Sequence, residues 1–64
     1  MKVIVMKKGS EPNRIELHVR ESGKVDAWLI TNANKYYRGE WCSLTDALNA
    51  MHGIGYKSEK TYDI

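Results

Sequence analysis

The rhythm of apolar and polar residues changes along the chain, and each rhythm predicts a different element. Val3–Met6 is an uninterrupted apolar run, which reads as a strand buried on both faces or pairing at an interface. Gly9-Ser10-Glu11-Pro12-Asn13 interrupts it with residues that favour turns. Over Asn13–Glu21 the pattern becomes strictly alternating. Ile15, Leu17 and Val19 are interleaved with Arg14, Glu16, His18 and Arg20, the period of a strand with one wet face. Val25–Thr31 resumes an apolar strand after Ser22-Gly23, where Gly23 can supply the positive φ of a tight hairpin. A turn over Thr31–Lys35 then leads into Tyr36–Trp41, aromatic enough for a short strand, in which Gly39 either weakens the strand or marks a bulge.

The period then lengthens. Leu44, Ala47, Leu48 and Met51 fall at i, i+3, i+4 and i+7, the stripe of an amphipathic helix. Its start is signalled by Ser43-Leu44-Thr45-Asp46: the Ser43 hydroxyl can accept from the Asp46 amide, and the Asp46 carboxylate can reach back. Cys42, just before the cap, is expected to pack against Ala47 as the small apolar part of a staple. Gly53 is expected to end the helix, with His52 in the last turn. So short a helix does not hold its shape alone and must lie on the sheet. Residues 54–64 read either as a final edge strand or as a tail lying on the sheet.

These elements predict an α+β fold: a small antiparallel sheet of three to five strands with one short helix on one face, in the order β-β-β-(β)-α-(β). Sixty-four residues are expected to form a single domain spanning 1–64. A hydrophobic content of 42% with one proline is that of a folded chain, not a disordered one. Cys42 is the only cysteine, which excludes an internal disulfide and points to a reducing, cytoplasmic setting. No run has the length of a membrane span, and Val3–Met6 is too short for a signal-peptide core, so no membrane partner is expected.

Catalytic and metal chemistry lack their sequence patterns. His18, Cys42 and His52 show no CxxC or HxxxH spacing, so neither a metal nor another cofactor is expected. Cys42 has the acidic neighbours Glu40 and Asp46, which oppose thiolate formation at the helix start. Gly53-Ile54-Gly55 follows a helix instead of opening one, so its amides are misplaced for a phosphate. A non-enzyme is the expectation.

Two binding readings follow from the faces of the sheet. One helix covers one face, yet the first and third strands are apolar on both, since Val3 and Val5 oppose Ile4 and Met6, and Trp28 and Ile30 oppose Val25, Ala27 and Leu29. A cover is therefore expected: the C-terminal segment with Ile54, Tyr56, Tyr62 and Ile64, a second copy in a homodimer, or another protein. The first reading is a small non-catalytic regulator or inhibitor that binds another protein through a sheet face or edge strand. Its contact candidates are Trp28, Ile30, Tyr36, Tyr37 and Trp41, with Arg38 at the rim. The alternative is a nucleic-acid-binding module using Arg14, His18, Arg20, Lys24, Lys35 and Arg38, with Tyr37 available for stacking. Residues 1–39 favour it with a net charge of +4 (eight Lys/Arg, four acids), but Glu16, Glu21 and Asp26 lie among those cations.

Overall fold

The computed structural model describes residues 1–64 and contains one five-stranded sheet and one helix. In chain order these are β1 (Lys2–Lys7), β2 (Arg14–Val19), β3 (Val25–Ile30), β4 (Lys35–Trp41), α1 (Leu44–Gly53) and β5 (Lys57–Asp63). The strands lie in the order β4-β3-β2-β1-β5 and every neighbouring pair is antiparallel. The first four strands form a meander. The C-terminal segment returns after the helix to pair with β1, so it is an edge strand and not a tail laid over the sheet.

The β2–β3 hairpin shows how local sequence sets the register. The Gly23 amide donates to the Arg20 carbonyl at 2.9 Å and the Arg20 amide to the Lys24 carbonyl at 2.8 Å. Gly23, at φ +92°, adopts the left-handed conformation that closes such a loop. This turn places His18 opposite Asp26 and Leu17 opposite Ala27.

The register sorts the sheet into two faces. Ile4, Met6, Ile15, Leu17, Val25 and Ala27 lie on one, where Ala47 and Met51 of α1 complete a buried cluster. Leu44, Leu48, Leu29 and Trp41 pack around it partly buried. Removing this apolar area from water stabilises the fold and holds a helix of ten residues, too short to persist by itself. The Ser43 hydroxyl caps the helix by accepting from the Asp46 amide at 3.2 Å.

Two local details differ from the sequence pattern. Gly53 is the last helical residue; the chain turns at Ile54 and takes its positive φ, +98°, at Gly55. The Tyr56 amide then donates to the Met51 carbonyl at 2.9 Å, satisfying a helix-end acceptor. Cys42 is exposed, so it does not form the apolar staple expected at the helix start.

The second sheet face also differs. Val3 and Val5 are 1% and 5% exposed, yet no layer covers them. Their strand is internal, and the register flanks Val3 with His18 and Tyr62, and Val5 with Glu16 and Lys60. Long neighbouring side chains close over a β-branched one in a central strand, because their stems bury apolar surface while their heads stay wet.

Candidate functional site

The open face, opposite the helix, carries a cluster built around Trp28. On β3, Asp26, Trp28 and Ile30 alternate outward, and β2 and β4 set Glu16 and Tyr37 beside Trp28 in register. The Tyr37 ring meets Trp28 edge-on with centroids 5.1 Å apart, a favoured aromatic geometry. His18 lies on the other side at 6.2 Å, tilted by 42°. The Lys35 ammonium stands 5.3 Å from the Trp28 ring centre, a cation–π distance. Trp28 and Ile30 are partly buried, while Tyr37 is 54% exposed and presents half its surface to solvent.

The charges around this cluster are paired within the chain. Arg20 contacts Asp26 at 3.1 Å and also bonds to Glu40. Asp26 accepts from the Tyr37 hydroxyl at 3.2 Å, which ties the ion pair to the aromatic group. His18 Nε2 lies 2.9 Å from Glu16 Oε1, and Lys35 Nζ is 4.0 Å from the same carboxylate oxygen. At the far corner Arg14 forms two contacts with Glu59, the shorter 3.0 Å. The hydrogen bond from Arg14 holds the Glu59 carboxyl below its ordinary pKa. The hydrogen bond to Glu40 raises the Arg20 pKa, and partial desolvation followed by the bond to Asp26 raises that of the Tyr37 phenol.

The six protein-contact candidates do not form one surface. Trp28, Ile30 and Tyr37 share the open face, but Tyr36 pairs with Leu29, and Trp41 packs against the core on the helix side. A bulge causes the division. Trp28 pairs with Tyr37 and Ala27 with Gly39, so Arg38 is the extra residue and the alternation of β4 shifts there. Gly39 permits it with φ +135°, a conformation that side chains disfavour. Among the nucleic-acid candidates, Arg14, His18, Arg20 and Lys35 reach the open face through the pairings above. Lys24 lies at the exposed β2–β3 turn, and Arg38 lies on the helix side.

Arg38 belongs to a second feature, a cleft of about 280 Å³ on the helix side. Ile15, Ala27 and Leu29 line it from the sheet, and Met51, Ile54 and Tyr56 line it from the helix end. Trp41 and Arg38 complete it from β4. Ile54 and Tyr56 therefore serve this cleft and do not cover the open face.

Sequence reasoning missed the part played by Asp26, Glu40 and Glu59. The first was readable, because the hairpin at Ser22-Gly23 brings Asp26 back alongside the end of β2. Glu59 was not, since its approach to Arg14 follows from the bulge that interrupts the β1–β5 register between Val5 and Met6. No group of three or more His, Cys, Asp or Glu side chains is arranged to hold a metal ion, and no helix is long and apolar enough to cross a membrane. Comparison with protein-family models, curated proteins and solved structures returns no match.

Proposed function

We propose that this protein is a non-catalytic binding module that docks another protein on the open sheet face, with Trp28, Tyr37 and Ile30 as the central contacts. A regulator or inhibitor that works by occupying a surface fits this reading. The observation that carries it is the pairing of charge across the open face, around Trp28 and at its far corner. Arg20 is held by Asp26 and Glu40, Arg14 by Glu59, and Lys35 stands between Glu16 and the Trp28 ring. A surface that tracks a phosphate backbone needs cations free to replace counterions. On this face the arginines and Lys35 are held within the chain, and Lys60 of β5, beside Val5, is a cation without a carboxylate partner. The aromatic and aliphatic groups inside this mixed-charge rim therefore favour a protein contact.

The test is capture from nuclease-treated lysate on immobilised wild-type protein, Trp28→Ala and the remote control Lys24→Ala. Wild type and control should retain the same proteins, Trp28→Ala should lose them, and retention should persist from about 0.1 to 0.5 M salt because apolar contacts are not screened. Retention independent of Trp28 contradicts the reading. So does a bound species that nuclease releases and salt elutes steeply, which would favour the nucleic-acid alternative. Light scattering over a range of concentrations identifies a second copy as the partner if a dimer forms and Trp28→Ala abolishes it.

A further inference from the structure

The cleft on the helix side has a chemical character distinct from that of the open face. Seven of its eight lining residues are hydrophobic, and the eighth is Arg38. The chain contains three arginines. Arg14 and Arg20 are each bound to carboxylates, whereas Arg38 has no ion-pair partner within the fold. Arg38 is an exposed residue, and it lines an apolar recess with Leu29, Trp41, Met51 and Tyr56. The Gly39 bulge puts it there: a regular β4 would not insert Arg38 as an unpaired residue between the partners of Ala27 and Trp28.

We infer that this cleft is a binding site for a small monocarboxylate with an apolar body, whose carboxylate pairs with Arg38 while a single ring or short branched chain enters the recess. A planar guanidinium presents two parallel N–H donors that match a carboxylate, and the adjoining apolar wall selects against fully hydrated anions. The volume lies just below the roughly 300 Å³ at which ordinary ligand sites begin, so the occupant is a fragment-sized acid. This site is separate from the proposed protein-docking face, and either can fail without the other.

The experiment is a titration of the ¹⁵N-labelled full chain with phenylacetate and with its neutral isostere 2-phenylacetamide, followed by two-dimensional NMR. The indole N–H signals of Trp41 and Trp28 report on the two faces separately. Phenylacetate should shift Trp41 and the amides around Met51 and Tyr56, bind in the millimolar range, and leave Trp28 unmoved. The amide should bind at least about threefold more weakly, as should phenylacetate to Arg38→Gln, since a solvent-accessible ion pair contributes modestly. Arg38→Lys should fall between wild type and Arg38→Gln, because it keeps the charge but loses the planar fork. Arg38 is exposed, so both variants should retain the dispersed spectrum of the folded chain. The inference is overturned if phenylacetate leaves Trp41 unmoved, if acid and amide bind equally, or if Arg38→Gln binds as tightly as wild type.

Discussion

Leu17→Ala tests the alternation on which both faces depend. Leu17 is fully buried, set in register between Ile4 and Ala27 on the side covered by α1. Its truncation removes the buried atoms and leaves a cavity in a close-packed site, a change that costs about 3–5 kcal/mol. Marginal stability of roughly 0.05–0.15 kcal/mol per residue gives a chain of this length about 3–10 kcal/mol in total. The substitution therefore removes between a third and all of the stability. The next residue, His18, points to the opposite face and contacts Glu16 and Trp28. His18→Ala loses only a partly exposed contact and should cost less than about 1 kcal/mol. Urea unfolding followed by circular dichroism measures both variants, with moderate sulfate added if Leu17→Ala is partly unfolded in water. Equal midpoints, or a larger loss for His18→Ala, would refute the register, because a slip of one residue exchanges the two faces.

Other consequences are local. Ser43→Ala removes the acceptor for the Asp46 amide and should lower stability by about 1 kcal/mol in the same unfolding assay. Gly39→Ala meets open space around its new methyl group but forces a side chain into φ +135°, so a loss of about 1–3 kcal/mol should come from backbone strain alone. Glu59 has a folded-state pKa below its unfolded value of 4.5. Its contribution is therefore present above pH 4.5 and lost as pH falls through the lower folded value. Stability measured down this acid range should decline less in Arg14→Gln than in wild type, and an unchanged slope would exclude the pair as its source.

The sequence made the sheet and helix legible where a periodicity met a definite environment. The alternation over residues 14–20 works because that strand has one wet face, and Ser43 with Asp46 marked the helix start through a real hydrogen bond. The apolar run Val3–Met6 correctly implied burial on both sides, but it suggested a missing cover. Burial came instead from the strand's internal position, which depends on β5 returning beside β1, a long-range pairing that periodicity does not encode. The contact candidates were divided for a related reason. Tyr36, Tyr37 and Arg38 are adjacent in sequence, but the bulge shifts the alternation between the partners of Ala27 and Trp28. Gly39 hinted at that bulge without showing which way Arg38 would face. The end of the helix moved from Gly53 to Gly55 because a glycine can occupy a last helical turn, and only the backbone conformation shows which one turns left-handed.

The central claim is that the Trp28–Tyr37 face, and not the helix-side face of the same strand, meets a protein partner. Photocrosslinking from adjacent positions tests it most directly, because Tyr37 lies beside Trp28 whereas Tyr36 lies beside Leu29. Both tyrosines are exposed, at 54% and 48%, so a benzophenone amino acid at either position is equally free to react. In nuclease-treated lysate, position 37 should yield discrete protein adducts that Trp28→Ala abolishes, and position 36 should yield none of them. The same adducts from both positions, or adducts from position 36 alone, would contradict the account.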